Sequence, residues 1–366
     1  MTSSKSPPAA AARIGADRGG TPYCDRTADD PRHTQLARRL LYDQVDFEAQ
    51  VTWAKSLSKD AGAGVLTELE RAQQLGPLRY LCAGGSFDDL EQLRMDFPTF
   101  SKVIDFVWSR VMLARLVHPP AVRIPPILLN GPAGTGKTAF SKRLADWLNV
   151  PIVEVDVSML ETSFRLTGLD AGYATGKPGR VWEALQCESM SPVIVLDEID
   201  KRPDSTRDSG LSFLLGLLEP TSAVRFQDAY VGLPIDASQI AWIATCNELG
   251  SIEAPLRSRF RIFNIEAPSR EQMAAVIQSV FRSLRHQESW GRVFPEVLPS
   301  EVIARLFNDS PRSVWQSLED ACAKAAAAGR RYLVAQDVTP NRPKASRNIG
   351  FLATNSLIAD SNRKLP

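Results

Sequence analysis

The chain has 366 residues, which is enough for two or three domains. Hydrophobic residues make up 44% of it and charged residues 23%, as is typical of a globular protein with a full core. The 43 basic and 42 acidic residues leave a formal net charge of +1. This balance excludes a strongly basic nucleic-acid-binding chain and a strongly acidic solvating chain.

Cysteine and histidine usage indicates neither a disulfide framework nor a structural zinc site. The five cysteines are scattered without a CxxC pair, and the three histidines are far apart. No apolar run is long enough to cross a bilayer, and the Ala-rich N-terminus lacks the apolar centre of a signal peptide. We therefore expect a cytoplasmic protein with reduced thiols and no membrane partner.

The N-terminal quarter of the chain contains a tail and then a helical pattern. Residues 1–34 are rich in Ser, Pro, Ala and Gly and predict a disordered tail. Residues 35–86 predict a small helical element, because several apolar residues are loosely spaced for one helix face: Leu36, Leu40, Leu41, Val45 and Phe47. A stronger helical pattern covers residues 97–117 and ends at two pairs of prolines.

Beyond residue 120 short apolar runs alternate with helical stretches. The runs cover residues 127–129, 152–157, 193–196 and 240–245. Such alternation predicts an α/β fold in which a parallel sheet is flanked by crossover helices, over residues 87–267. Residues 268–340 have only helical periodicity and predict a second, all-helical domain. Residues 341–366 are polar and basic and predict a loose tail.

A phosphate-binding loop follows the first apolar run and opens a helical pattern. Its glycines allow backbone N–H groups to surround phosphate oxygens, and the helix N-terminus adds a partial positive charge. The lysine would reach the β- and γ-phosphates of ATP, and the threonine hydroxyl would bind Mg²⁺. The predicted nucleotide-binding residues are Gly131, Pro132, Ala133, Gly134, Thr135, Gly136, Lys137 and Thr138.

Two carboxylates end the apolar run at residues 193–196. Asp197 and Glu198 would be costly at the end of a buried strand unless they have a function, and ligands gather at this end of parallel strands. Asp197 is therefore predicted to hold Mg²⁺, and Glu198 to act as the general base that polarises the attacking water. Asp200 is left out of the catalytic set, as a cap for the segment that follows it.

Taken together, these motifs resemble the AAA+ ATPase superfamily, and within it the ATPase module of Lon-type proteases. The similar segments are GPAGTGKT, GYATGKPGR, VIVLDEIDK, IAWIATCNE, APLRSRF and SPRSVWQSLEDA, in the order of the family. The resemblance covers about two-thirds of the chain. It implies a P-loop NTPase domain followed by a helical AAA+ lid, ATP and Mg²⁺ as ligands, and a homo-oligomeric ring of six subunits.

The resemblance also implies roles for four further residues. Asn247 corresponds to sensor 1, and Arg312 to sensor 2. Arg259, the second arginine of Pro255-Leu-Arg-Ser-Arg-Phe, corresponds to the arginine finger that reaches a neighbouring subunit, with Arg257 as the other candidate. Tyr173 corresponds to the aromatic residue of a pore loop that grips a threaded polypeptide, although the residue after it is Ala174, followed by Thr175 where the family usually has glycine.

The local sequence at Arg312 supports its role independently. Ser310 and Pro311 are typical of a helix start, and a cation in the first turn is unfavourable unless an anion lies nearby. Only 28 residues follow Val338, so no serine–lysine peptidase domain is expected.

The sequence thus predicts a ring-forming ATPase that unfolds or remodels a protein partner. Two alternatives stay open. One is a motor or loader that acts on nucleic acid, against which the lack of a basic motif counts. The other is a scaffold that binds ATP without hydrolysing it, against which the pairing of Glu198 with Asn247 counts.

Overall fold

A computed structural model of the chain describes residues 36–160, 163–201 and 213–339. The predicted tails at residues 1–34 and 341–366 lie outside the described residues. Among the helices that are described, none combines the length and the apolar character that crossing a bilayer requires.

The N-terminal region is helical in its centre and extended at both ends. It comprises β1 (Arg38–Leu40), α1 (Gln44–Ser56), α2 (Lys59–Leu75) and β2 (Leu78–Tyr80). The sequence predicts a helical element here, and the structure adds two short strands at residues 38–40 and 78–80 that were not predicted. The two strands pair antiparallel with each other, and a pairing between segments so far apart in the sequence leaves no local pattern.

The predicted apolar face of this region is divided between core and solvent. Leu41 and Phe47 are buried, whereas Leu40 and Val45 are exposed. The helix starts only at residue 44, where Asp43 caps it by accepting the N–H of Val45 at 2.7 Å. The buried residues of α1 and α2 join the same hydrophobic cluster as the sheet, so this region packs directly on the core.

Helices and strands then follow in the order that a P-loop fold requires. They are α3 (Phe87–Asp96), α4 (Ser101–Ala114), β3 (Ile127–Asn130), α5 (Lys137–Leu148), β4 (Ile152–Asp156), α6 (Phe164–Thr167), α7 (Arg180–Ala184), β5 (Val193–Asp197), α8 (Phe213–Leu218), α9 (Pro220–Ala223), β6 (Phe226–Gln227), β7 (Pro234–Ile235), β8 (Ala241–Cys246), α10 (Ala254–Arg257) and β9 (Arg261–Asn264).

Five of these strands form the central sheet, in the order β4-β5-β8-β3-β9, and all neighbours are parallel. Alternate residues point to opposite faces. Ile127, Val195 and Ile243 belong to the hydrophobic cluster on one side, and Leu128 and Ile194 to the cluster on the other. Because both faces are buried, the central strands have continuous apolar sequences rather than alternating ones.

The edge strand β9 was not predicted from the sequence. Its residues Arg-Ile-Phe-Asn are mostly exposed, and they pair with β3 from Ile127↔Arg261 to Asn130↔Asn264. An exposed edge strand needs no apolar run, which explains why the sequence pattern did not reveal it.

The C-terminal part is helical and has a hydrophobic cluster of its own. It consists of α11 (Arg270–Gln287), α12 (Ser300–Leu306) and α13 (Pro311–Ala327), and its cluster runs from Met273 to Val338. The predicted fold class, a P-loop parallel sheet flanked by helices and followed by a helical region, is confirmed. The positions of the domain boundaries stay predictions.

Candidate active site

The polar residues of the site gather at the carboxyl edge of the sheet. β3, β5 and β8 lie side by side, and in register Leu129 is opposite Thr245 while Leu196 is opposite Ala244. The segments that leave these three strands carry the phosphate-binding loop, the Asp197–Glu198 pair and Asn247. Parallel pairing thus brings together residues that are far apart in the chain.

The loop between β3 and α5 has the backbone geometry that phosphate binding requires. Gly136, which precedes the first residue of α5, has a φ of 91°, a conformation that side chains other than glycine rarely adopt. A Cβ at Gly131 would lie 2.1 Å from the carbonyl oxygen of Ile265, so only glycine fits there. The first N–H groups of α5 have no partner within the helix and are available to an anion.

Lys137 is buried at the start of α5 and binds three acceptors. Its Nζ lies 2.7 Å from the carbonyl oxygen of Gly131, 3.0 Å from that of Pro132 and 3.0 Å from Oδ1 of Asn247. Burial lowers the pKa of Lys137, and nearby acidic groups oppose that effect. The ammonium group is therefore held inside the loop by neutral oxygens that a phosphate can replace.

Thr138 and Asp197 form a pair of oxygen ligands of the kind that Mg²⁺ prefers. The hydroxyl of Thr138 donates to the carboxylate of Asp197, with distances of 3.0 Å to Oδ1 and 2.9 Å to Oδ2. A hydroxyl beside a carboxylate, next to a loop that can hold phosphates, fits a cation that keeps several waters and binds few protein groups. The structure thus brings together the two residues that the sequence predicts as magnesium ligands.

Glu198 follows β5 in an unusual backbone conformation. Its φ is 54°, in the left-handed region that few residues other than glycine enter. Its carboxylate Oε1 lies 2.7 Å from Nζ of Lys201, and both side chains are partly exposed. In this conformation the carboxylate pairs with a lysine of its own loop.

Two residues at the ends of β5 and β8 bind in ways that the sequence pattern did not reveal. Thr245, on β8, donates to Oδ1 of Asp197 and accepts the N–H of Glu198. Asp200 accepts the N–H groups of Asn247 and Glu248, each at 2.9 Å, so its described partners lie on the β8 side of the site. The prediction that Asp200 caps the segment following it concerns residues that lie, from 202 to 212, outside the described residues.

A cavity of about 790 Å³ connects the phosphate-binding loop to the C-terminal helices. Most of the predicted residues line it, from Ala133 to Thr138 together with Asp197, Glu198, Asn247 and Arg312. Arg312 is in the first turn of α13, which begins at Pro311 and is capped by Ser310, whose hydroxyl oxygen accepts the N–H of Ser313 at 3.2 Å. The volume of this cavity and its mixed polar and apolar lining suit a nucleotide.

One wall of this cavity comes from residues that sequence reasoning missed. Phe97 and Phe100, just before α4, line it, and Phe100 stacks on Phe140 of α5 with ring centroids 4.3 Å apart. In the sequence these aromatic residues belong to the helical pattern of residues 97–117. Their place in the cavity was not predicted, because only the folded chain brings α3 and α4 beside the phosphate-binding loop. Phe97 and Phe100 form an apolar part of the cavity lining, to which the C-terminal helices also contribute apolar residues.

Asp96 connects the C-terminal helices to the sheet core at this wall. The side chain is 7% exposed, accepts a charged hydrogen bond from Arg282 of α11, and lies 3.6 Å from Nη2 of Arg143 on α5. Gln92 also donates to it at 3.0 Å. A carboxylate with two hydrogen-bond donors and a further ion-pair partner, from three helices, links the two halves of the cavity.

Gly131 and Pro132 of the loop do not line the cavity, and the two arginine-finger candidates and Tyr173 also lie outside it. Arg259 pairs with Glu219, at the start of α9, with Nη1 2.9 Å from Oε2, and Arg257 points to the carbonyl oxygen of Leu249 at 3.5 Å. Neither arginine lines the cavity of its own chain. Tyr173 is 65% exposed and also lies apart from it.

Tyr173 occupies the tip of a closed loop between α6 and α7. Leu169 and Lys177 exchange backbone hydrogen bonds of 2.9 and 3.2 Å at its base. Within it, Tyr173 donates its N–H to the carbonyl oxygen of Asp170, and Gly176 donates to that of Tyr173. The loop is thus an ordered projection that presents one aromatic ring to solvent.

Comparison with known proteins finds similarity over a region that contains most of the polar residues of this site. Residues 127–267 match the model of the AAA family, described as "ATPase family associated with various cellular activities". The chain is 37% identical over 148 residues to the Lon protease of Helicobacter pylori, a match that covers 40% of this chain and 18% of that protein. It is 30% identical over 199 residues to the peroxisomal Lon protease homolog 2 of Caenorhabditis elegans, covering 53% and 26%.

A third similar protein is Lon protease 4 of Sorangium cellulosum, with 29% identity over 195 residues, 52% of this chain and 24% of that protein. The chain therefore spans about a quarter or less of the length of these curated relatives. Among solved structures, a RuvB mutant of Thermotoga maritima is similar at a TM-score of 0.41 and 13% identity, covering 64% of this chain and 67% of that one.

Proposed function

Because residues 127–267 form an AAA-family ATPase domain related to the ATPase module of Lon proteases, we propose that this protein hydrolyses ATP in a homo-oligomeric ring and uses the energy to remodel a protein partner. One observation carries the proposal. The phosphate-binding loop, the Asp197–Glu198 pair, Asn247 and Arg312 surround a single cavity. A cytoplasmic location stays a prediction.

In this proposal the loop from Gly131 to Thr138 binds the phosphates of ATP. Lys137 exchanges its bonds to the Gly131 and Pro132 carbonyl oxygens for bonds to phosphate oxygens. Thr138 and Asp197 would hold Mg²⁺, which would supply positive charge that offsets the negative charge on the phosphates. The aromatic wall at Phe97 and Phe100 provides an apolar surface for the remainder of the nucleotide.

Glu198 acts as the general base of the reaction. A water oxygen forms a bond to the γ-phosphorus, the bond from that phosphorus to the bridging oxygen of ADP breaks, and the Glu198 carboxylate accepts a proton from the water. For this step the carboxylate leaves Lys201 and turns toward the cavity. Asn247, already held by Lys137 at 3.0 Å, orients the water, and Arg312 interacts with the phosphates from the helical side.

Arg259 completes the site of a neighbouring subunit. It lies outside the cavity of its own chain and its side chain is 44% exposed, so it is available at the surface of the subunit. An arginine supplied in this way stabilises the charge of the transferring phosphoryl group. Hydrolysis therefore depends on assembly, and we propose a ring of six subunits.

Tyr173 contacts the polypeptide that the ring acts on. Its loop is closed at Leu169 and Lys177 and displays the ring at its tip. A flat aromatic surface makes apolar contacts with many sequences, as a grip on a moving chain requires. The proposed partner is an unfolded or partly unfolded protein segment.

The hydrolysis step is tested by substituting the general base. Glu198→Gln should bind ATP with unchanged affinity and lose phosphate release, because the amide cannot accept the proton. Phosphate release and the Kd for a fluorescent ATP analogue are measured on the wild type and the variant in parallel. Wild-type protein that releases no phosphate in any oligomeric state would indicate the ATP-binding scaffold instead.

The remodelling step is tested with casein as a permanently unfolded protein. Casein should increase the ATPase rate of the wild type, Tyr173→Ala should lose that increase, and Tyr173→Phe should keep it because the ring remains. An Ala variant that responds to casein like the wild type would rule out the proposed contact. An ATPase rate that rises with DNA and falls steeply with salt would indicate a nucleic-acid motor.

A further inference from the structure

The segments that follow β5 and β8 hold each other through side chains. From the β8 side, Thr245 is 1% exposed, and its hydroxyl donates to Oδ1 of Asp197 while it accepts the N–H of Glu198 at 3.0 Å. A hydroxyl has one donor and two acceptor positions, so these two bonds are compatible. The carbonyl oxygen of Thr245 also accepts the N–H of Ile199 at 2.9 Å.

From the β5 side, Asp200 reaches in the opposite direction. Its Oδ2 accepts the N–H groups of both Asn247 and Glu248 at 2.9 Å. The other oxygen, Oδ1, is buried and has no hydrogen-bond partner among the described residues. The described hydrogen bonds of this carboxylate therefore hold the backbone at Asn247 and Glu248 in place.

The two contacts have a common geometric effect. Glu198 sits at a φ of 54°, a conformation that persists only where the surroundings hold it, and Thr245 accepts its N–H there. Asn247 lies one residue past β8, where its N–H is bound by Asp200. The proposed base and the proposed water-orienting amide are thus each held by a side chain from the other segment.

We propose that Thr245 and Asp200 are positioning residues for ATP hydrolysis, which set Glu198 and Asn247 relative to each other. This inference rests on the proposed function, in which these two groups act on the same water. Both residues act through the groups that they hold. The described side-chain hydrogen bonds of Thr245 and Asp200 go to Asp197, Glu198, Asn247 and Glu248, and none goes to Lys137 or to the loop from Gly131 to Thr138. We therefore expect their loss to lower turnover more than ATP affinity.

The first test removes one hydroxyl without changing the shape of the side chain. Thr245→Val should lower kcat by about ten- to hundredfold, the size expected when a reacting group is misplaced by about an ångström. The Kd for a fluorescent ATP analogue should remain that of the wild type, and Thr245→Ser should restore kcat because it keeps the hydroxyl. Thr52→Val, which removes an exposed hydroxyl from α1, is the matched control.

The second test uses the carboxylate and does not depend on the first variant folding well. Asp200→Ala removes the acceptor and should lower kcat, whereas Asp200→Asn keeps an amide oxygen that can accept both N–H groups and should retain more of it. In hydrogen exchange, the amides of residues 247–248 should exchange faster in Asp200→Ala. The amide of Glu198, whose N–H the Thr245 hydroxyl accepts, should exchange faster in Thr245→Val.

Three results would overturn the inference: a wild-type kcat in Thr245→Val, a Ser variant that fails to restore turnover, or unchanged hydrogen exchange both at residues 247–248 in Asp200→Ala and at Glu198 in Thr245→Val. Failure of the proposed function itself looks different. In that case the wild type releases no phosphate at all, and the hydrogen-exchange comparison still decides whether the two segments hold each other.

Discussion

At the scale of single residues, Lys137 has the most demanding environment. It is 8% exposed, and its three acceptors are two backbone carbonyl oxygens and the amide oxygen of Asn247. None of these oxygens carries a full negative charge, so the ammonium group has no ion-pair partner at hydrogen-bond distance among the described residues. A phosphate would supply that charge, which explains why the site favours an anionic ligand.

We therefore expect Lys137→Ala to weaken ATP binding. Loss of a hydrogen bond to a charged group costs about 1.5–3 kcal/mol, roughly a ten- to hundredfold increase in Kd. The Kd for a fluorescent ATP analogue measures the change. Lys102→Ala, which removes an exposed lysine from α4, is the control and should bind like the wild type. Equal Kd values for the two variants would contradict the assignment of Lys137.

At the scale of elements, Asp228 supports the loop that carries Tyr173. It lies directly after β6 and is fully buried, where its Oδ2 accepts the N–H of Gly179, the residue before α7, at 2.8 Å. Its Oδ1 accepts the N–H groups of Tyr230 and Val231 at 2.9 and 3.2 Å. One carboxyl group thus fixes the start of α7 to the segment between β6 and β7.

Burial makes this support sensitive to pH. It raises the pKa of Asp228 from an ordinary 3.8 to about 6, against the opposing effect of the three N–H donors. Because the folded protein holds the proton more tightly than the unfolded chain, the contribution of Asp228 to stability is complete below pH 4. It decreases as pH rises toward 6 and is constant above that, with a slope of at most about 1.4 kcal/mol per pH unit.

The measurement compares wild type and Asp228→Asn by urea unfolding between pH 4 and 7. The free energy of unfolding of the wild type minus that of the variant should decrease with pH over this range. The subtraction removes the contributions of other titrating groups, and it also separates the pH dependence from the constant cost of losing the N–H acceptors. A difference that stays level from pH 4 to 7 would exclude a raised pKa at Asp228.

At the scale of the whole molecule, the cavity and the arginine finger candidates lie in different places. The C-terminal helices close one side of the cavity through Arg312, and Asp96 joins those helices to the core by its bond with Arg282. Arg259, by contrast, pairs with Glu219 away from the cavity. If Arg259 takes part in hydrolysis, it does so in the cavity of another subunit.

This division predicts complementation between two inactive variants. Arg259→Ala retains an intact cavity, and Glu198→Gln retains an intact arginine, so each alone should release little phosphate. A mixture should recover part of the activity, because subunits of the second variant supply the arginine to cavities of the first. Phosphate release is measured as a function of the mixing ratio.

The Arg257→Ala variant, measured alone and in a mixture with Glu198→Gln, shows which of the two arginines is the finger. Its guanidinium points to the carbonyl oxygen of Leu249, so we expect its loss to leave hydrolysis by the unmixed variant largely intact. No recovery for Arg259→Ala at any ratio would exclude an active site shared between subunits.

The sequence by itself determined the class of the fold, and it predicted most of the polar residues that line the cavity. Strands buried on both faces must be continuously apolar, so four of the five sheet strands could be predicted from short apolar runs in the sequence. The phosphate-binding loop is equally local, because its glycines, Lys137 and Thr138 act within eight consecutive residues. The cap at Ser310 and the start of α13 at Pro311 also follow from neighbouring residues alone.

The tertiary structure decided which distant residues meet. The bonds of Thr245 to Asp197 and of Asp200 to Asn247 depend on β5 and β8 being neighbours, and strand order is not written in the periodicity of either strand. The same holds for β1 with β2, and for the wall at Asp96, Phe97 and Phe100. Local patterns record how each segment is buried, whereas contacts between segments arise only when the sheet brings their ends together.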